Sequence, residues 1–389
     1  MTALRAIEMF AGAGGLGMGV SRAGFSPIAV IERDTYCCDT IRENQRRKLA
    51  PLAKWPLIQG DIRQFKFNEL EEKVDLVSGG PPCQPFSLGG KHKGRNDTRD
   101  MFPEAVRALR ELKPRAFLFE NVKGLTRATF ATYFEYIRLQ MTYPELIGKS
   151  GEKWQDHLAK LEKQHTHGCK RGLAYRVVTR VLNAADYGIP QRRERVLFVG
   201  FRSDLDIEWS FPDPTHSRDA LLWDQSHGDY WERHNVPRRQ RVIPRLPASR
   251  QSQLLTRAPL QPWRTVRDAL EGLPDPEHEP EASKAFLNHR FQPGARTYKG
   301  HTGSPFDEPA KTLKAGVHGV PGGENMLARH DGSVRYFTVR ESARLQTFPD
   351  EFLFHGSWTE TMRQLGNAVP VQLANLIAND IRRHLERAA

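Results

Sequence analysis

Ala6-Ile7-Glu8-Met9-Phe10-Ala11-Gly12-Ala13-Gly14-Gly15-Leu16-Gly17-Met18-Gly19 is the stretch from which a fold can be read. Ala6 to Phe10 has the composition of a buried strand, and the glycines follow at once. Gly12, Gly14 and Gly17 keep the G-x-G-x-x-G spacing, in which glycines let the backbone turn tightly and approach a ligand closely. A helical stretch then runs through Val20 to Ala23, and a second strand, Pro27 to Ile31, ends at Glu32, 20 residues after Gly12. A carboxylate there is placed to accept hydrogen bonds from ribose hydroxyls. The glycine pattern alone is a weak signal. The succession of strand, turn, helix, strand and terminal acid is what predicts an open α/β sheet.

Further units repeat the pattern. Leu57 to Ile62 reads as a short strand ending in Asp61, which either contacts the base end of a nucleotide-like ligand or caps a helical turn. Val74-Asp75-Leu76-Val77 is another apolar run, stopped abruptly by Gly79-Gly80-Pro81-Pro82-Cys83-Gln84-Pro85-Phe86-Ser87. Cys83 stands at the mouth of a loop rich in Gly, Lys and Arg, where nearby positive charge favours the thiolate and hence a nucleophile. The alternative is a small buried apolar cysteine. An amphipathic helix is expected from Phe102 to Leu112, stopped before Pro114. The strand Ala116 to Phe119 then delivers Glu120-Asn121-Val122. Ligands of open α/β sheets bind beyond the carboxyl ends of the strands, and Gly12, Glu32, Asp61, Cys83 and Glu120 all fall at such ends.

At 389 residues the chain suggests two lobes. No apolar run approaches the ~20 residues needed to span a bilayer, and Met1 to Ile7 lacks the apolar core of a signal peptide. The four cysteines, at 37, 38, 83 and 169, show neither metal-ligand spacing nor a disulfide framework, so a reducing cytoplasm is expected. A net charge of +12 favours polyanionic partners, because neutralised phosphates release counterions.

Residues 143–172 are polar and read as an inserted helical excursion. His157, His165 and His167 lie near Cys169 but read as a solvated face rather than a zinc site. Strands are expected at Tyr175 to Val178 and Val196 to Val199. Between them lies Gln191-Arg192-Arg193-Glu194-Arg195. From Arg233 through Arg267 there are many Arg and Pro residues and no Asp or Glu, which reads as a phosphate-binding surface or a solvated basic face. Thr338 is expected to cap a helix through Gln346. Val369, Leu373, Leu376, Ile377, Ile381 and Leu385 give a last helix that packs on a core, preceded by Gly366-Asn367-Ala368-Val369-Pro370.

Taken together, Phe10-Ala11-Gly12-x-Gly14-Gly15, Pro81-Pro82-Cys83-Gln84, Glu120-Asn121-Val122, Gln191 to Arg195, Arg340-Glu341-x-Ala343-Arg344-Leu345-Gln346 and Gly366 to Pro370 resemble the ordered motifs of the DNA (cytosine-5) methyltransferases of restriction–modification systems. The resemblance implies a Rossmann-like S-adenosylmethionine-dependent α/β fold. Residues 1–201 plus 365–389 would form the catalytic and cofactor-binding domain and 202–364 a smaller target-recognition domain. It also implies that the Cys83 thiolate adds to carbon 6 of a flipped-out cytosine, that Glu120 holds or protonates ring nitrogen 3, and that Arg193 and Arg195 stabilise the activated base and the closed loop. S-Adenosylmethionine would contact Phe10, Gly12, Gly14 and Gly15, with Glu32 on its ribose, Asp61 and Ile62 around its adenine, and Pro82, Asn367 and Val369 completing the pocket.

Candidate DNA contacts are Gln84, Ser87, Lys91 and Arg95 in the loop after Cys83, which would close over the base. Others are Arg238, Arg239 and Arg241 in the basic run, and Thr312-Leu313, which looks like the Thr-hydrophobic pair of the family's variable region. The implied partners are double-stranded DNA, without a membrane, and a companion restriction endonuclease that acts on the same site without direct binding. Monomeric action suits a target-flipping enzyme. Three rival readings remain: a transfer-RNA methyltransferase of the same fold, whose branch tends to carry a Cys-Phe-Thr tripeptide absent here; a nicotinamide-dependent oxidoreductase; and a non-catalytic DNA-binding relative.

Overall fold

Continuous apolar runs become the middle of a sheet because strands covered on both faces have no side turned to water. In the computed structural model, which describes residues 4–82, 100–168, 172–242, 259–299, 302–315 and 323–388, β4 (Leu76–Gly79) is buried at every position. It lies between β1 (Leu4–Met9) and β5 (Ala116–Val122), parallel to both. On the other side of β1 come β2 (Phe25–Glu32) and β3 (Leu57–Gln59), also parallel. β7 (Glu194–Arg202) runs antiparallel to β5, and β6 (Tyr175–Asn183) antiparallel to β7. The seven-stranded order is therefore β3-β2-β1-β4-β5-β7-β6. Strand order reverses between β1 and β4, and the crevice of such a sheet opens there, at the carboxyl ends.

Helices cover both faces. α1 (Gly15–Arg22) follows the glycine turn, and α2 (Thr35–Arg46) starts at Asp34, whose side chain accepts from Cys37 N. α3 (Phe102–Leu112) has the expected bounds. Pro103 sits in its first turn, where no amide is missed, and Lys113 ends it in the left-handed conformation ahead of Pro114. α4 (Ala131–Thr142) and α5 (Trp154–His167) pack together on the β6 side.

Here the expectation of a solvated histidine face fails for one residue. His157 is buried, its ring bonded to Tyr136 Oη at 2.9 Å and Leu146 O at 2.9 Å. His165 bonds Tyr143 Oη, while Cys169 lies outside the described residues. The polar composition of 143–172 hid this, because α5 buries only His157, Leu158 and Leu161.

Beyond β7 the elements are short: β8 (His216–Ser217) with β9 (Gln261–Pro262), α6 (Arg218–His227), and a small sheet of β10 (Ser304–Pro305), β11 (Met326–Ala328) and β12 (Val334–Tyr336). α7 (Val339–Leu345) begins with the expected Thr338 cap. It is a full capping box in which Thr338 accepts from Glu341 N and Glu341 from Thr338 N. α8 (Trp358–Asn367) and α9 (Val371–Arg387) close the chain. α9 packs along α1 and buries Leu373, Ile377, Ile381 and Leu385. Phe348, Phe352 and Phe354 pack with Ala11, Met18 and Val30, so the segment after α7 adheres to the core around the glycine turn and β2.

Candidate active site

The glycine loop turns directly off β1. Phe10, a bulky residue, is held at φ 55° and Gly12 at the same angle, conformations that store strain for non-glycine residues and recur at ligand sites. No atom lies within 4 Å of where a Cβ on Gly12 would stand, so the loop leaves room there. Gly14 caps α1. A Cβ on Gly15 would lie 2.5 Å from Val369 O, which brings the two ends of the predicted cofactor pocket into contact. Asn367, at the end of α8, is exposed beside them.

Glu32 stands at the end of β2 with its carboxylate turned back on the loop. Oε2 accepts from Gly12 N at 2.7 Å, and Oε1 from Arg33 N and Asp34 N. It braces the glycine turn and still has lone pairs for a hydroxylated ligand. Asp61 caps the turn that starts at Ile62: its side chain accepts from Arg63 N and pairs with the Arg63 guanidinium. Those hydrogen bonds hold its carboxyl well below the usual range, at about 2. Ile62 is buried behind it, and β3 ends at Gln59 rather than reaching Ile62.

Across the switch point, Gly79-Gly80-Pro81-Pro82 leaves β4 alongside β5. Asn121 Nδ2 donates to Pro81 O at 2.9 Å. A Cβ on Gly80 would lie 3.3 Å from Glu120 Oε2. Met101 N donates to Pro82 O at 3.2 Å, so the chain leaves and re-enters this point within hydrogen-bonding reach. Cys83, Gln84, Ser87, Lys91 and Arg95 lie outside the described residues.

Glu120 is buried at the end of β5 and ion-paired with Arg195 Nε at 2.7 Å, the side chains being 9% and 12% exposed. The register sets Leu197 opposite Glu120 and Arg195 opposite Val122, so Glu120 and Arg195 are diagonal neighbours on one face of the β5–β7 pair. Burial lowers the Arg195 pKa, with Glu120 acting against it. Arg193 is elsewhere. It is fully buried, donating to Leu313 O at 3.1 Å and Gly366 O at 2.7 Å, and burial lowers its pKa further. Arg193 was expected to stabilise the activated base and the closed loop with Arg195; its guanidinium instead ties Leu313 to the α8–α9 turn.

Thr312-Leu313 docks on the same motif, Thr312 Oγ1 donating to Arg192 O and Leu313 N to Gln191 Oε1. The Leu313 side chain is buried against Val266 and Phe337, so it packs a core instead of meeting DNA. Arg238 and Arg239 are exposed. Arg241 is not free, since it pairs with Glu232 at 2.7 Å and donates to Val236 O.

Sequence reasoning missed Glu8. It is fully buried on β1, accepts from Ser78 Oγ on β4 and from the Gly17 amide, and burial raises its carboxyl to about 8. The signal was available: an acid inside an apolar strand needs partners.

The model of a family described as C-5 cytosine-specific DNA methylase matches residues 4–142 and 156–383, its gap falling inside the segment read as an insertion. The chain is 32% identical over 391 residues to the type II methyltransferase M.PspPI of Psychrobacter sp. (strain TA137), covering 98% of this chain and 80% of that one. It is 30% identical over 388 residues to the type II methyltransferase M.NgoMIV of Neisseria gonorrhoeae, covering 98% of each. Among solved structures, a DNA modification methyltransferase encoded within an Escherichia coli prophage superposes with TM-score 0.60 at 21% identity, over 99% of this chain and 100% of that one. The S. pombe Dnmt2 methyltransferase does so with TM-score 0.55 at 18% identity, over 99% of each. These two share the fold.

Proposed function

The chain belongs to the C-5 cytosine-specific DNA methylase family, and from that premise we propose how its own residues divide the reaction. It is a DNA cytosine-5 methyltransferase of the restriction–modification kind. The observation that carries the assignment of roles is the buried Glu120–Arg195 pair beside Gly80, three residues before Cys83.

Carbon 5 of cytosine is a poor nucleophile in the intact ring. Addition of the Cys83 thiolate to carbon 6 opens the 5,6 double bond and moves its electrons toward ring nitrogen 3 and carbon 5. Glu120 meets the charge at nitrogen 3 by hydrogen bonding or proton transfer. Arg195 holds that carboxyl in place and faces the same base. Loss of the carbon 5 proton after methylation restores the double bond and expels Cys83. S-Adenosylmethionine supplies the electrophilic methyl group. The room beside Gly12, the braced Glu32 carboxylate and the Gly15–Val369 approach suit its ribose and methionine ends. Asp61, Ile62, Pro82 and Asn367 are assigned to the same pocket.

Residues 1–201 with 365–389 form the catalytic lobe in this reading and 202–364 the recognition lobe; the packing of Phe348, Phe352 and Phe354 on Ala11 and Met18 supports counting that stretch with the catalytic side. Among the described residues no helix is long and apolar enough to cross a membrane. We assign the enzyme to monomeric action on duplex DNA, with a companion endonuclease reading the same site.

The test is methyl transfer from labelled S-adenosylmethionine to mixed-sequence duplex DNA and, separately, to transfer RNA, with bisulfite sequencing of the DNA. Protection of cytosines in one short shared context is expected. Labelling of transfer RNA alone would move the substrate, not the fold. Cys83→Ala is expected to abolish transfer while calorimetry still shows cofactor binding; normal turnover in that variant would sink the mechanism.

A further inference from the structure

From Ala282 to Phe306 the chain carries no Asp or Glu, yet it holds Lys284, Arg290, Arg296 and Lys299. Within it Phe291 and Tyr298 are 37% and 40% exposed. The segment from 291 to 297 forms no helix or strand, but its entrance is pinned firmly. Asn288 Nδ2 donates to Phe354 O and its Oδ1 accepts from Phe354 N. The buried His289 ring bonds Thr338 Oγ1 and Pro274 O. Arg340, itself fully buried, donates through Nε to Leu287 O and through its amide to Asn288 O. At the far end Tyr298 bonds Tyr336, whose ring lies 5.0 Å from that of Trp358. Between these anchors Gly294 turns at φ 93° with nothing near it.

The cations of this strap are available. Among the described residues Arg290, Arg296 and Lys299 form no ion pair, and Arg296 lies 6.0 Å over the Tyr298 ring. Much of the arginine run picked out by sequence is paired: Arg233 with Asp224 and Asp229, Arg241 with Glu232, and Arg267 with Asp307, which leaves Arg238 and Arg239 exposed. An anchored segment that presents unpaired cations and aromatic faces has lost its conformational entropy before any partner arrives. Cation and aromatic side by side suit a phosphodiester chain and its bases.

We propose that residues 290–299 are a DNA-contacting strap. Arg290, Arg296 and Lys299 neutralise phosphates of the duplex, while Phe291 and Tyr298 pack on the sugars and bases of the recognised site. This rests on the DNA methyltransferase reading and adds to it a specificity-determining surface.

The test measures duplex binding by the full chain as a function of salt. The Arg290→Gln, Arg296→Gln, Lys299→Gln triple variant is expected to lose ~2–3 from the slope of log K against log salt, at about 0.9 per phosphate released. Each single change should lose about 1. Lys284→Gln, whose ammonium already pairs with Glu281, should leave the slope as it is. A triple variant with the wild-type slope and affinity overturns the strap. Phe291→Ala with Tyr298→Ala should narrow the ratio of methylation between cognate and singly mismatched duplexes; an unchanged ratio overturns the aromatic assignment. Wild-type transfer to duplex DNA tests the underlying reading independently of either.

Discussion

Glu8 shows how a single buried acid can tie two halves of a site. It lies on β1 beneath the glycine loop, receives the Ser78 hydroxyl from β4 and the Gly17 amide from the first turn of α1. It thereby satisfies one of the helix amides that Gly14, without a side chain, cannot cap. Desolvation dominates and raises its pKa from 4.5 to about 8. The fold therefore favours the protonated form. That contribution is complete below the unfolded value and is lost as pH rises through the folded one. Stability should fall with a slope of up to ~1.4 kcal/mol per pH unit between about pH 5 and 8 from this residue. Glu8→Gln, which stays neutral, should flatten that slope in urea unfolding measured across the range. An unaltered slope would assign the pH dependence to other groups. Glu120 was legible at this scale because an acid delivered by an apolar strand has few bland explanations. Its partnership with Arg195 was not legible, because it depends on which residues β7 sets opposite β5.

At the scale of elements, the helices punctuated by proline could be bounded from sequence. α3 runs from Phe102 to Leu112 as read, since Pro103 favours the first turn and Pro114 forbids continuation. β3 is shorter than read, because the chain turns at Gly60 and spends Asp61 on capping. The last helix was placed correctly but its partner was not foreseen. α9 meets α1 so closely that a Cβ on Gly19 would stand 2.4 Å from Ala374 Cβ and 2.6 Å from Val371 O. Gly19→Ala is expected to force the helices apart and to lower stability by ~1–3 kcal/mol, read as a reduced urea midpoint. Because α1 also carries the glycine loop, cofactor affinity should fall with it. A variant as stable as the wild type would show that α9 yields without cost.

At the scale of the molecule, a charge of +12 predicts a polyanion partner but not where it lies. Counting arginines in 233–267 weighted Arg241 equally with Arg238 and Arg239. Folding brings Glu232 to Arg241 and leaves Arg238 and Arg239 exposed. Joint Arg238→Gln and Arg239→Gln changes are expected to reduce the salt slope of DNA binding by up to ~2, whereas Arg241→Gln should change it little. Equal effects from both would mean that the Glu232 pair opens on DNA. The same scale explains Arg193. Its sequence position beside Arg195 suggested the same task. β7 begins only at Glu194, so Arg195 stands in the strand and reaches Glu120, while Arg193, one residue before the strand, is drawn to Leu313 O and Gly366 O.

The amino-acid sequence by itself determined the strand–turn–helix succession, the carboxyl-end placement of Gly12, Glu32, Asp61 and Glu120, and the motif order that places the chain in its family. These rest on periodicity, on glycine and proline backbone limits, and on residue chemistry, which are local properties. The tertiary structure alone decided that Glu120 pairs with Arg195, that Arg193 ties Leu313 to Gly366, that His157 is buried, and that free cations stand at 290–299 as well as at Arg238 and Arg239. Each of these is a question of which distant group arrives beside a charge or a donor. Burial and pairing are set by residues up to 173 positions away, so no local pattern carries them.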